Sequence, residues 1–317
     1  MLNNDALKAI FHKSLKLKSN ESCLIVTDTV KENIGRGFYD FAKQITPAVK
    51  IIVMDPGLEH AQEPADAVAR EMLLFNVQFL ITDKSLSHTE ARRKATEIGA
   101  RIASMSTVTE DIINRCCLID YDDLAGKSQK LCSILSQGSS IRITTVLGTD
   151  INLKIGNNKW FGENGGILDY PGAFGNLPEG EVAFTPLEAQ GIYFVDASFP
   201  GLGILESPLC FKVRDSFVYD IEGVHSDLVR KRLDDAGAKA YRVAELGIGL
   251  NPKAKIIGLV LEDEKMLGTV HIALGNNLSF GGDNDVPLHL DGVILKPDIY
   301  LDGKKIMDKG EFVQGQI

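Results

Sequence analysis

The sequence has no run of about 18 apolar residues, the length a membrane-spanning helix needs. Its first residues include Asn3, Asn4 and Asp5, where a secretion signal would begin an apolar core. Together these absences predict a cytoplasmic protein with no membrane partner. Clustered positive charge is also missing: 34 Lys and Arg stand against 43 Asp and Glu, a net charge of −9. Phosphate backbones are bound by grouped cations, so nucleic acid is not expected as a partner. The short basic stretch 13–18 is interleaved with Leu and reads as the solvated face of a first helix. Five cysteines, Cys23, Cys116, Cys117, Cys132 and Cys210, make an odd set without CxxC spacing, which predicts buried, reduced thiols rather than disulfides. A glycine-rich phosphate loop is absent as well. The first apolar strand is followed by Asp28-Thr29-Val30-Lys31, which matches neither GxGxxG nor a Walker pattern.

What is present is a chain of 317 residues, longer than one hydrophobic core usually serves, so two domains are expected, 1–138 and 139–317. In the first, residues 23–27, 49–54, 77–82 and 101–104 are short, largely apolar runs that read as buried strands. Helical spacing at 33–44, 65–75 and 89–98 separates them, and another helix closes the half near 120–135. This alternation predicts an α/β domain with a parallel, doubly wound sheet. After residue 140 the texture changes. Residues 141–147 and 151–155 alternate around Gly148-Thr149-Asp150 like a hairpin. Further strands are expected at 182–185, 191–197, 210–213, 216–221, 256–261 and 270–274, with a helix at 226–236. The second domain is therefore expected to be mainly antiparallel α+β.

Histidine is scarce, with six in the chain. His12, His60, His88 and His225 lie in helical or loop contexts without acidic partners at ligand spacing and read as surface or capping residues. His289 and Asp291 fall two apart in the strand-like segment 287–295, so imidazole and carboxylate project from one face and can converge on an ion. His271 sits in an apolar strand, where it either hydrogen-bonds a carbonyl or ligates a metal. Glu181 and Glu245 are acids beside glycine in apolar surroundings, costly to bury unless paired or metal-bound. Two imidazoles and three carboxylates in one half suit Zn, Mn, Co or Fe(II).

These residues lie in segments that carry a resemblance. NLPEGEVAFTP (176–186), AELGIGLNP (244–252), GTVHIALG (268–275) and HLDG (289–292) occur in the order and approximate spacing of the aminopeptidase T and aminopeptidase S family of metallopeptidases. The resemblance implies that Glu181, Glu245, His271, His289 and Asp291 match metal-binding or catalytic positions. It also implies a dimer and a small peptide or other small molecule as substrate. The expected reaction is release of N-terminal residues from peptides by a metal-activated water, with Zn, Co or Mn bound and Glu181 as general base. Two positions depart from the peptidase pattern. Met266 stands where the family has a further glutamate, five residues before the strand histidine, and Leu278 where it has a tyrosine, seven residues after. Glu264 is near the first of these and is expected on the same strand face as Met266. A thioether is a poor ligand for a hard ion, so the second metal of a two-metal peptidase is in question. A related branch, similar to 2,5-dihydroxypyridine dioxygenase, holds one Fe(II) by two histidines and an aspartate, and this chain keeps those three as His271, His289 and Asp291. A ring-cleaving Fe(II) dioxygenase is therefore the alternative reaction, and a non-catalytic binding protein the third reading.

Overall fold

A computed structural model describes residues 1–156, 160–315 and 317. The chain divides into two compact units, Met1–Ala125 with Asn164–Glu179, and Gly126–Glu163 with Gly180–Ile317. The first is built on a five-stranded parallel sheet in the order Val49–Met54, Cys23–Asp28, Val77–Ile81, Arg101–Ser104, Phe174–Asn176. Three of these strands are buried along their whole length, because helices cover both faces. On one side Leu24, Val26, Leu80 and Ile102 pack with Val68, Met72 and Ala91 from the helices Asp66–Met72 and Glu90–Glu97. On the other, Phe79 meets Phe11 and Phe38, with ring centroids 4.7 and 5.1 Å apart. The doubly wound α/β architecture is thus present, with a short fifth strand that the sequence pattern does not announce. The loop after the first strand is no anion cradle: Asp28 Oδ1 already accepts from the amides of Val30 and Lys31, at 3.1 and 2.9 Å.

The second unit carries two sheets. An eight-stranded antiparallel sheet runs Phe217–Glu222, Leu209–Arg214, Glu188–Val195, Asp150–Lys154, Ser140–Thr144, Asp298–Leu301, Lys304–Asp308, Glu311–Phe312. The expected hairpin around Gly148 is its centre. A four-stranded antiparallel sheet runs His289–Leu295, Thr269–Gly275, Val243–Gly249, Glu181–Phe184. The expected helix at 226–236 forms as Ser226–Ala236. The strand expected at 256–261 does not form. Gly258 adopts φ +84°, and the Asp263 carboxylate takes the amides of Ile257 and Gly258 at 2.7 and 2.9 Å, which turns the chain into the one-turn helix Val260–Asp263. Glu264 therefore leaves that helix in a turn and Met266 forms an isolated parallel bridge with Asn251, so the two do not share a strand face as expected. All five cysteines are buried, and none forms a disulfide among the described residues. No helix among the described residues is long and apolar enough to cross a membrane.

Candidate metal centre

The four-stranded sheet separates two kinds of residue by its pleat. Register pairs Gly249 with Glu181, Gly247 with His271, Ala273 with both Glu245 and Asp291, and Gly275 with His289. From Glu245 onward in its strand, and along the other three, odd-numbered positions therefore share one face, and all five residues singled out from the sequence stand on it; a bulge before Glu245 puts Val243 opposite Leu274. Even-numbered positions, among them Val182, Leu246, Ile248, Ile272, Leu274 and Leu290, are fully buried on the other. That apolar face packs on Val195 and Phe199: a Cβ at Gly292 would strike Val195 at 2.4 Å and touch Phe199 at 3.5 Å. The odd face has room for chemistry because the positions between its functional residues are small. A Cβ on Gly247 would fall 2.1 Å from Cε1 and Nε2 of His271, so the imidazole lies directly over that glycine.

His289 Nδ1 lies 2.7 Å from the Asn276 carbonyl, which can only accept, so Nδ1 carries the proton there. Its Nε2 then faces Glu245 Oε2 at 3.0 Å and Asp291 Oδ1 at 3.1 Å. An imidazole lone pair aimed at two carboxylates is repulsive unless a proton or metal cation lies between them. Burial lowers the pKa of His289, but Asp291 and Glu245 outweigh it and hold the imidazole well above its usual range. Burial raises Asp291 in turn, and His289 and His271 override this to bring it down to about 2.

Deeper in the sheet, His271 Nε2 lies 3.3 Å from Glu181 Oε2 and 3.5 Å from Glu245 Oε1. Burial lowers its pKa, and the surrounding acids, Glu245 first and then Glu181, Glu264 and Asp291, carry it up to about 9. Burial raises Glu245, and the two imidazoles more than reverse that, leaving it below its usual range. Burial pushes Glu181 up to about 8, against the pull of Lys265.

This donor set fits a divalent cation. His271 Nδ1 is buried with no hydrogen-bond partner, and Glu181 Oε2 and Glu245 Oε2 are buried with only an imidazole nitrogen beside each, a costly arrangement for a site whose groups had only one another. Three overlapping groups bring one donor atom per residue within 4.8 Å: Glu181, Glu245 and His271; Glu245, His289 and Asp291; Glu264, His271 and Asp291. None of the three holds both histidines, which meet through Glu245 and Asp291. All five expected residues thus fall in one cluster. Two more belong to it. Glu264 was placed by sequence only at a distance, and Lys265 was missed, because a lysine in the acidic run 262–265 reads as solvated surface. It is in fact 1% exposed, with Nζ 2.5 Å from Glu181 Oε1 and 2.6 Å from Glu264 Oε1. The centre is most accessible at His289, whose side chain is 25% exposed. There Phe280 stacks on the imidazole at 5.5 Å, and Phe161 meets Phe280 edge-on at 5.1 Å. Leu278, at the position of the peptidase tyrosine, is half exposed at the start of the turn Leu278–Phe280.

Comparison with known proteins gives a consistent answer. The model of the family described as NicX, 2,5-dihydroxypyridine 5,6-dioxygenase, matches residues 43–314. The 2,5-dihydroxypyridine 5,6-dioxygenase of Pseudomonas putida is 24% identical over 276 residues, 80% of this chain and 73% of that protein. Among solved structures, the 2,5-dihydroxypyridine dioxygenase of Pseudomonas putida KT2440 superposes with a TM-score of 0.82 at 18% identity, covering 98% of this chain and 96% of that one. AmpT from Thermus thermophilus superposes with a TM-score of 0.71 at 16% identity, covering 98% of each. The aminopeptidase likeness is therefore one of fold. The expected peptide-cleaving metallo-aminopeptidase is overturned, since the family model and the sequence relative both carry a dioxygenase's name. The departures at Met266 and Leu278 agree with that correction, as neither supplies the oxygen ligand found in the peptidase pattern.

Proposed function

Because this chain belongs to the 2,5-dihydroxypyridine 5,6-dioxygenase family, we propose that it is an iron-dependent dioxygenase that opens the ring of a small dihydroxylated pyridine. The observation that carries this reading is the convergence of His289 Nε2 with two carboxylates while its Nδ1 is fixed on the Asn276 carbonyl. In this reading His271, His289 and Asp291 hold one ferrous ion, two imidazoles and a carboxylate being the donor set of many non-haem Fe(II) oxygenases. When bound, that ion supplies the unpaired electrons through which dioxygen can react with a closed-shell ring.

The chain's own residues do the rest. Asn276 orients the His289 ring and fixes its tautomer, a role that outer partners of metal-bound histidines commonly have. Glu245, reaching both imidazoles, takes up positive charge at the centre and keeps the two rings facing each other. Phe280 and Phe161 offer flat apolar walls beside the accessible imidazole, which suits a planar heterocycle stacking there. The near-complete burial of Glu181, Glu245 and His271 keeps bulk water from the inner end of the site.

The test is oxygen uptake by the purified chain, reconstituted with ferrous iron under anaerobic conditions, on 2,5-dihydroxypyridine and on catechol. One dioxygen consumed per ring opened, abolished in His289→Ala and Asp291→Asn, is the expected result. Full uptake in either variant, or none in the wild type with any dihydroxylated ring, defeats the reading.

A further inference from the structure

We propose that Lys265 is a built-in cation that takes the place of a second metal ion and thereby holds the centre to one. The inference rests on the reading of the cluster as a metal site, and goes beyond it in assigning what limits the number of ions.

Three overlapping groups of donors share Glu245, His271 and Asp291 between them. Such an arrangement can hold a pair of divalent ions with a bridging carboxylate, as two-metal sites at about 3.5–4 Å separation do. Lys265 breaks this equivalence. Its ammonium lies between Glu181 Oε1 and Glu264 Oε1, at 2.5 and 2.6 Å. Of the three groups, the one made of Glu245, His289 and Asp291 contains no acid that Lys265 touches. Each of the others contains one. The lysine thus marks the Glu181–Glu264 end of the cluster as filled and leaves the side of the two histidines and Asp291, the ligands proposed above, for the metal.

Charge leads to the same division. Four carboxylates, Glu181, Glu245, Glu264 and Asp291, face one ammonium. With a single divalent ion the set keeps one net negative charge. With two it would carry one net positive charge, the same magnitude, so in the presence of the ammonium a second ion brings no gain in neutrality. Without the ammonium, two divalent ions would balance the four acids, so a neutral side chain at 265 should invite the second ion.

The backbone delivers the ammonium rigidly. The Lys265 carbonyl accepts from the Asn251 amide at 2.8 Å, its amide donates to the Glu262 carbonyl at 3.0 Å, and Leu267 donates back to Asn251 at 3.0 Å. A lysine is almost never fully buried unless paired. Here the carboxylates of Glu181 and Glu264 that the ammonium touches belong to the metal cluster, so the burial serves that cluster.

The experiment is metal counting on the full chain by elemental analysis after equilibrium dialysis against excess Mn(II), with electron paramagnetic resonance of the same samples. The wild type and Lys265→Arg should bind one Mn(II) per chain with the spectrum of an isolated ion. Lys265→Gln should bind two, with the broadened signal of a spin-coupled pair. Two ions in the wild type, or one isolated ion in a folded Lys265→Gln, overturns the proposal. Should Lys265→Gln not fold, the anomalous map of wild-type crystals grown with Mn(II) decides. One peak beside His289 and Asp291 supports the proposal, and density between Glu181 and Glu264 defeats it. A wild type that binds no ion at all is a distinct result, which removes the iron reading and this inference with it.

Discussion

Gly247→Ala tests the centre through its floor rather than its ligands. The new methyl would lie 2.1 Å from two atoms of the His271 ring, where ordinary contact begins near 3.4 Å. The ring must therefore retreat by about 1.3 Å, or the strand must part from its neighbour. The backbone itself raises no objection, since Gly247 is not among the positive-φ glycines. Metal–ligand distances tolerate only about 0.2 Å, so the displaced imidazole leaves the ion. Overpacking of this kind costs about 1–3 kcal/mol of stability, and a misplacement of about 1 Å at a reacting centre about 100-fold in rate. The expected result is a modestly lowered melting temperature, ferrous affinity reduced by at least about 100-fold, and dioxygen uptake reduced as much or more. Gly126→Ala is the control. It lies within the helix Tyr121–Leu135 with nothing within 4 Å of the added carbon, and should be neutral or stabilising by up to about 1 kcal/mol. Wild-type ferrous affinity and turnover in Gly247→Ala would show that the His271 ring does not hold the ion, and the argument from the glycine would fail.

Protonation gives a second test. In the metal-free protein His271 is raised to about 9 and Glu181 to about 8, so the folded state holds protons that the unfolded chain has released. Stability from His271 is complete below its ordinary value near 6.5 and is lost as pH rises through about 9, and Glu181 acts in the same direction between about 4.5 and 8. Melting temperatures of chelator-treated protein should fall across that window. A flat profile from pH 6 to 9.5 would refute the assignment. Since an ion replaces those protons, ferrous binding should release protons and tighten with rising pH, measurable by calorimetry in buffers of different ionisation enthalpy. Asp263→Ala frees the amides of Ile257 and Gly258 and should cost about 1–3 kcal/mol in chemical denaturation. Phe280→Ala removes the ring stacked on His289. It should raise KM for a dihydroxypyridine by about 2- to 10-fold with a smaller effect on kcat, and equal losses in both would assign Phe280 to the centre's geometry instead.

Much of the fold was legible because its strands follow simple patterns. The runs Val49–Met54 and Arg101–Ser104 form with the bounds that the sequence pattern sets out, the first half-buried at the edge of the sheet and the second buried along its whole length. The period-two placement of His289 and Asp291 was legible for a related reason: a pleat fixes side-chain direction without reference to the rest of the chain. What sequence patterns miss depends on partners far away. Residues 256–261 look like a strand until the Asp263 carboxylate captures their amides. Phe174–Asn176 is too short to have a period and becomes a strand because Arg101–Ser104 offers an open edge. Lys265 illustrates the limit best. Its neighbours in sequence are acidic and suggest solvent, while the acid that buries it, Glu181, is 84 positions away. A signal was nevertheless present in the glycines of AELGIGLNP, since Gly247 leaves space only a side chain from the next strand can use.

The odd and even positions of the four central strands give the chain two texts written on alternate letters. One specifies a hydrocarbon layer and must be kept for the domain to fold; the other specifies donors and can be edited one residue at a time. A point replacement on the donor side changes which cation, or how many, the sheet can host, without disturbing what lies beneath it. An inserted or deleted residue exchanges the two texts from that point on and drives imidazoles into oil. Innovation on this scaffold should therefore proceed by substitution, with insertions and deletions confined to the connections, and that offers a physical reason why one frame serves both a dioxygenase and an aminopeptidase.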